Sequence, residues 1–490
     1  MGKRRCGSFY HNGHRMISTF SPIDHRQRTL GAALPRNEAT RWLDELESTE
    51  LAPSPQPPLL ERDAAAVAPI FAKGRDLCAR LPLKSKRSQA EREAGESLVE
   101  LMAGLCRRFC RVHREAMYRK LTADYSRFLR CDALVWQAGE LWPGVIPSRG
   151  EVAREAERMQ MDKDGLEIHQ GIFFSQILSG EDSGIHLLHA MLRPKAESLE
   201  LLQTFRRKGV VELDGARVEA HGEAATIFLR NPNFLNAEDA EVSGDQETAV
   251  DLVLLHPEIR MGILRGAVVD HPRYRGRRVF DSGINLTKIY HGKMPYLFYL
   301  NRDVGMYSKV FRGLTGDTWR TGAPEETVEK PWLAAVDSHA IGGGCQLLLV
   351  VDYVIAESGA YFSLPARKEG IIPGAANLRL PRFLGERMAR QAIMFDKTFY
   401  VDNPDAAGLV NEVVPREAMD AAVQRAVENA LGSGMVSAAG NRKALRVQSE
   451  PLDSYRRYMA VYCEEQAWCH LSPQLIANLE KHWNARERRL

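Results

Sequence analysis

Apolar and polar positions divide the chain into stretches of different character. In residues 61–205 the apolar side chains recur at helical spacing. Leu98, Leu101, Met102, Leu105, Phe109, Val112 and Met117 fall on one side of a 3.6-residue period, the stripe of a helix with one buried face. A second set runs through GIFFSQILSGEDSGIHLLHAMLRP. No catalytic pattern stands out here, and such a helical layer packs or covers. The character changes near 206–210. VVELDGARVEAHGEAATIFLRNP alternates apolar with polar residues and carries turn dipeptides at Asp214-Gly215 and His221-Gly222, a strand-turn-strand signal. From there to about 416, the strand-like pieces MGILRGAVVD, PWLAAVDSHA and YVIAES alternate with helical ones, an α/β pattern. After Pro415 the chain reads as helical again, with Val423, Val427 and Leu431 on one stripe. Residues 1–60 are rich in Arg, Ser and Pro and end in LAPSPQPPLLE. They predict a poorly ordered leader with one short helix near 37–48. The expected organisation is therefore a leader over 1–60, a helical N-terminal domain over 61–205, an α/β core over 206–416 and a helical C-terminal region over 417–490.

Composition narrows the function class. A chain of 490 residues with 44% hydrophobic and 26% charged content supports a sizeable core and more than one domain. The net charge of +3 is small and the Lys and Arg residues are dispersed, which argues against nucleic acid as partner. Eight cysteines contain no C-x-x-C spacing, as expected of reduced thiols in a cytoplasmic protein. MGKRRCGSF is basic, but no apolar stretch follows it, so a secretory signal is not expected. The most apolar run, QLLLVVDYVIA, is short and broken by Asp352, so no membrane span is expected.

The most distinctive stretch is AIGGGCQLLLVVD, residues 340–352. A phosphate loop of the G-x-x-x-x-G-K-[ST] kind is absent, and G-x-G-x-x-G fails because Leu347 stands where the third glycine belongs. No metal constellation emerges. H-x-E occurs at His221 and at His256 without an evident third ligand, and the His186/His189 pair also lacks one. G-x-S-x-G is missing as well. What remains is a strand, Leu333 to Val336, running through a glycine loop into a helix that begins near Gly344. Without Cβ atoms at Gly342, Gly343 and Gly344, a carbonyl oxygen can approach the free backbone N–H groups there. That is half of an oxyanion hole. A second candidate donor is the N–H of Ile284 in RRVFDSGINL, where a strand ends at Ser282-Gly283.

These residues resemble the enoyl-CoA hydratase/isomerase (crotonase) superfamily over roughly 207–470. The resemblance rests on ATIFLRNPNFLNAEDA, VFDSGINL, PWLAAVDSHAIGGGCQ, DYVIAESGAYFSLPARKEGIIPGAANLRLPRFLG and AAGLVNEVV. It implies a crotonase-type spiral of ββα units, flanked here by the helical N-terminal domain and C-terminal helices. It also implies an acyl-CoA thioester held by two backbone N–H groups, those of Ile284 and Gly343. Hydratases of the family use two glutamates, which would stand at Gln346 and Ala366. Neither position is a carboxylate, and an amide and a methyl group cannot do that acid–base work. Glu369 lies three residues from the second position and is not taken as its replacement.

The sequence is similar, more specifically, to the branch of this superfamily that adds O2 to a ring-hydroxylated arylacetyl-CoA in antibiotic biosynthesis. That branch uses no metal or organic cofactor and yields an arylglyoxylate and free CoA. The resemblance implies that Glu238, Arg302 and Gln346 line an aryl pocket, with His271 also at a pocket position. Lys368 and Arg379 are candidates to meet CoA phosphates. The family further implies a homo-oligomer, a trimer or hexamer. The competing expectations are a crotonase-fold hydrolase or isomerase acting on another acyl-CoA, and a non-catalytic acyl-CoA-binding scaffold.

Overall fold

The computed structural model describes residues 23–51, 58–316, 326–432 and 434–490. Its centre is a seven-stranded sheet of Val210–Glu212, Ala216–His221, Ala224–Leu229, Met261–Gly266, Trp332–Val336, Tyr353–Glu357 and Glu412–Val414, in that spatial order. The first three strands form an antiparallel meander through the two turns read from the sequence. The remaining neighbours are parallel, because each connection returns the chain over a helix. Trp332–Val336 is buried along its whole length, as expected of a strand covered on both faces. A smaller sheet joins His339–Ile341, Tyr361–Ser363 and Thr398–Tyr400. It carries the chain directly into the glycine loop at 342–344.

One apolar core lies under the main sheet. Leu229, Leu264, Ala334 and Val336 meet Leu252 and Val253 of the Ser243–Leu255 helix and Leu347 of the Gly343–Leu348 helix there. On the other face, Ile263, Leu333 and Ile355 meet the Met419–Leu431 helix, with Val423, Val427 and Leu431 partly buried against them. The largest core is helical and joins regions far apart in sequence. Leu98, Leu105 and Phe109 of the 34-residue Gln89–Thr122 helix pack with Ile172 and Phe173 of Glu167–Ser179 and with Met459 and Cys463 of Leu452–His470. Gly171 makes the last contact possible: a Cβ there would lie 2.7 Å from the Cys463 carbonyl oxygen. Ile284, Tyr299, Ala366 and Ile371 belong to the same core. The N-terminal helices and the last C-terminal helices thus pack together over one flank of the α/β unit.

The leader holds the helix expected near 37–48 but is more ordered than expected before it. Residues 23–48 hold two helices, Ile23–Gly31 and Arg36–Ser48. Trp42 and Leu43 are fully buried, and the Trp42 indole donates to the Ile70 carbonyl at 2.8 Å. Tertiary packing overrides a composition that favours disorder. Residues 1–22 of the expected leader lie outside the described residues.

Candidate active site

Two loops carry the candidate oxyanion donors. In the first, Glu238 and Ile284 form an isolated parallel bridge. The Glu238 N–H donates to the Gly283 carbonyl at 2.7 Å, and the Asn285 N–H donates to the Glu238 carbonyl at 2.8 Å. Successive backbone groups of an extended segment point in opposite directions, so the N–H of Ile284 faces away from this bridge. In the second loop Gly342 has φ +53° and ψ −110° and precedes Gly343, the first residue of the Gly343–Leu348 helix. That start is one residue earlier than read from the sequence. The loops touch: a Cβ on Gly283, itself at φ +78°, would lie 2.8 Å from the Ile341 carbonyl oxygen and 3.3 Å from the Gly342 Cα. Among the described residues, neither the Ile284 nor the Gly343 N–H donates to another backbone group outside the regular elements.

Beneath Gly343 lies a buried polar cluster. The Arg302 guanidinium donates to Glu238 Oε2 at 3.0 Å, to Asp303 Oδ2 at 3.2 Å and to Gln346 Oε1 at 3.2 Å. All four side chains are buried. The Tyr307 hydroxyl reaches Glu238 Oε1 at 2.5 Å and the Gly343 carbonyl at 2.9 Å. A Cβ on Gly343 would collide with the Glu238 carboxylate, so glycine there lets the cluster sit directly under the loop. Burial opposes the Arg302 charge, but Glu238, Tyr307 and Asp303 outweigh it and hold the guanidinium well above its usual range. Burial, and then Glu238, push the Tyr307 phenol well up, so it stays a neutral donor. Arg302 to Tyr307 form a π-helical turn, a widened turn of the kind that often marks a working site.

Several residues that sequence reading missed complete this arrangement. Asp281 is fully buried, and its Oδ1 accepts the Gly283 N–H at 2.6 Å. Burial, then the neighbouring Glu238, hold its carboxyl well above the usual range, while the Gly344 N–H acts in the opposite sense. One carboxyl therefore ties together the loops that flank both candidate donors. Asp303 anchors the other side, with its Oδ1 accepting the Ala375 N–H at 3.1 Å. Asp281 lies within VFDSGINL, and Asp303 directly follows Arg302. Tyr307 lies beyond these motifs and carries no local signal.

Glu238, Arg302, Gln346, Gly343 and Ile284 are thus brought together, whereas His271 is not. The His271 side chain is partly exposed on a loop, accepts the Arg273 N–H at 3.2 Å through Nδ1 and lies beside the Tyr274 ring. Arg379 needs correction. It is buried, and its guanidinium donates to both oxygens of Glu450 at 2.9 and 3.0 Å, so it has no reach to a CoA phosphate. Lys368 is exposed and lies 3.7 Å from Asp396. Ala366 is buried. Glu369 is partly buried one turn further on, and burial followed by Asp396 raises its carboxyl to about 7. The His186/His189 pair is structural at His186, whose ring nitrogens meet the Tyr118 hydroxyl at 2.8 Å and the Tyr125 carbonyl at 3.0 Å.

Residues 220–461 match the enoyl-CoA hydratase/isomerase family, and the chain belongs to it. The expected family and fold are borne out. The chain is 47% identical over 407 residues to a (3,5-dihydroxyphenyl)acetyl-CoA 1,2-dioxygenase of Amycolatopsis orientalis, a match covering 83% of this chain and 92% of the relative. A short-chain-enoyl-CoA hydratase of Clostridium acetobutylicum is 31% identical over 215 residues, 43% of this chain and 74% of the relative. Among solved structures, an enoyl-CoA hydratase from Mycobacterium avium subsp. paratuberculosis K-10 matches with a TM-score of 0.45 at 19% identity. That match covers 55% of this chain and 98% of the other. Among the described residues no cluster of three or more His, Cys, Asp or Glu could hold a metal ion, and no helix is long and apolar enough to cross a membrane.

Proposed function

We propose that this chain is a dioxygenase that converts (3,5-dihydroxyphenyl)acetyl-CoA and O2 into 3,5-dihydroxyphenylglyoxylate and free CoA, without metal or organic cofactor. The observation that carries the reading is the state of the polar cluster. Gln346 and Ala366 stand where a hydratase would place its carboxylates, and Glu238 is locked by Arg302 at 3.0 Å and Tyr307 at 2.5 Å. The cluster suits the ends of ring hydroxyls better than addition of water. The identity with the Amycolatopsis orientalis dioxygenase over most of both chains supports the same substrate class.

In this mechanism the thioester oxygen docks between the N–H groups of Ile284 and Gly343. Loss of one α-proton leaves a carbanion spread over thioester and ring, with charge on the oxygen that the two donors face. Such donors stabilise the enolate more than the ground state, and each is worth roughly 2.7–4 kcal/mol in comparable sites. Glu238, Arg302 and Gln346 hold the ring through a hydroxyl. The enolate passes an electron to O2, and recombination forms a Cα–O bond. The outer peroxide oxygen attacks the thioester carbon and expels CoA as thiolate. Loss of the second α-proton breaks the O–O bond and leaves a ketone beside a carboxylate. Both oxygen atoms end in the product, and the dry surroundings keep the enolate from being quenched by a proton.

Hydrolysis is the competing reading, and one observation bears on it. The Ser282 hydroxyl lies 2.8 Å from His339 Nε2, two residues before Ile284. Its proton, however, has the Leu235 carbonyl as acceptor at 2.9 Å, and His339 Nδ1 faces the Ser338 hydroxyl at 3.1 Å where a triad would place a carboxylate. The test incubates chelator-treated protein with 3,5-dihydroxyphenylacetyl-CoA and follows O2 and free thiol. Equal consumption of O2 and release of thiol is expected. Thiol release without O2 uptake would establish the hydrolase, and uptake abolished by chelation and restored by iron would overturn the metal-free mechanism. Assembly as a trimer or hexamer is part of the proposal, supported by the exposed Val436, Leu445 and Val447 on the Met435–Ser449 helix. So is a cytoplasmic location, supported by seven free cysteines among the described residues.

A further inference from the structure

The Leu452–His470 helix lays a stripe of tyrosines over the polar cluster. Tyr455, Tyr458 and Tyr462 fall at i, i+3 and i+7, on one helix face. Two of the three hydroxyls are satisfied by backbone carbonyls at the edge of the site. The Tyr455 hydroxyl donates to the Asp303 carbonyl at 2.9 Å. The Tyr458 hydroxyl donates to the Gly374 carbonyl, and Gly374 is packed against the Gln346 amide and the Asp303 carboxylate. The third is different. Tyr462 is 2% exposed, and its hydroxyl has no hydrogen-bond partner among the described residues. Its ring stacks on Tyr458, one helical turn away, with 6.2 Å between centroids and the planes 14° from parallel. Arg302, Asp303 and Tyr299 are among the groups whose fields reach it, and Tyr462 in turn acts on Arg302. Arg302 Nε is likewise buried without a partner among the described residues.

We infer that Tyr462 is a further specificity-determining residue, whose hydroxyl bonds a polar substituent on the aromatic ring of the substrate held at Arg302. This rests on the proposed dioxygenase reading of the same site. A buried hydroxyl without a partner destabilises a protein, and phenylalanine fills the same space without that cost. Two tyrosines of the stripe meet protein acceptors, and the third is left to meet the ligand. The ligand chemistry is a phenolic hydroxyl, which both donates and accepts and so pairs with the tyrosine in either sense. An aryl ring bearing two such groups has one for the Glu238–Arg302–Gln346 cluster and one for the helix above it.

The test is Tyr462→Phe in the full-length protein, with Tyr458→Phe as contrast. Thermal unfolding without ligand should be unchanged or raised in Tyr462→Phe and lowered in Tyr458→Phe, which gives up a bonded hydroxyl. The ratio of kcat/KM for 3,5-dihydroxyphenylacetyl-CoA to that for phenylacetyl-CoA should fall about tenfold in Tyr462→Phe and stay unchanged in Tyr458→Phe. A lowered unfolding temperature with an unmoved ratio would make Tyr462 purely structural and overturn the assignment. Equal losses on both substrates would do the same. Wild-type protein that consumes no O2 with the dihydroxylated thioester would instead remove the dioxygenase reading itself, and this inference with it. Active wild type with an unmoved Tyr462→Phe ratio removes this inference alone.

Discussion

Replacing Arg302 tests the centre of the site, because three buried groups depend on one guanidinium. It donates to Glu238 at 3.0 Å and to Asp303 and Gln346 at 3.2 Å each, and its ring neighbours Phe298 and Tyr307 lie 5.5 and 5.1 Å from the guanidinium carbon. Arg302→Ala leaves two buried carboxylates without their cation. Breaking one side of a buried pair costs about 3–5 kcal/mol, a large part of a total stability of roughly 5–15 kcal/mol. The loss should appear in urea unfolding near neutral pH. For substrate, a hydrogen bond from a charged donor is worth about 1.5–3 kcal/mol. The preference for ring-hydroxylated over plain phenylacetyl-CoA should therefore fall roughly 10- to 150-fold in kcat/KM. Arg302→Lys guards against a variant too unstable to assay. It keeps the charge and can hold one ion pair, but it loses the planar fork that spans three acceptors. It should stay folded and still lose most of the preference. Equal losses on both substrates in Arg302→Lys would refute the ring-hydroxyl role. A stability change below about 1 kcal/mol in Arg302→Ala, in the range of an exposed pair, would refute the account of the cluster.

Gln346→Glu should not create a hydratase. It sets a third carboxylate on the same guanidinium while the Ala366 position stays apolar, so dioxygenase turnover should drop by roughly tenfold or more, and crotonyl-CoA should remain unhydrated when its enoyl-thioester absorbance is followed. Glu450→Gln tests the buried cluster that claims Arg379. Burial opposes the Glu450 charge, but Arg379 and Arg312 outweigh it and hold the carboxyl at about 2, against 4.5 unperturbed. A depressed carboxylate contributes stability above its unfolded value, and loses it as pH falls from 4.5 towards 2. The contribution at neutral pH is roughly 3 kcal/mol. Denaturation of Glu450→Gln should show that deficit at neutral pH and a narrowing gap to wild type below pH 4.5; a gap independent of pH would show that the charge is not what matters.

Much of the fold was legible because its signals are local. The two turns of the opening meander, the apolar strands at 261–266, 332–336 and 353–357, and the glycine loop each announce themselves within about ten residues. The candidate site was legible only where one motif holds a whole contact. Gly343 and Gln346 share a loop and its helix, and Ile284 follows a glycine turn. Arg379 was misread because its partner lies 71 residues away, and an arginine without a visible carboxylate looks like a surface cation. The helix near 37–48 was legible, but its burial was not, since the acceptor for Trp42 is 28 residues distant. Tyr462 could not be found at all from spacing, because the helix that carries it reaches Arg302 only through the tertiary fold. Gln346 shows how the two kinds of information combine. Sequence alone presents it as a missing carboxylate. In the structure its amide oxygen accepts from a guanidinium already shared by Glu238 and Asp303. A third negative charge on one cation in a dry site would leave at least one carboxylate unpaired. A neutral acceptor completes the cluster without that cost, and its N–H donors remain for a ring oxygen. The amide is therefore what the surrounding charges require once Glu238 and Asp303 are in place.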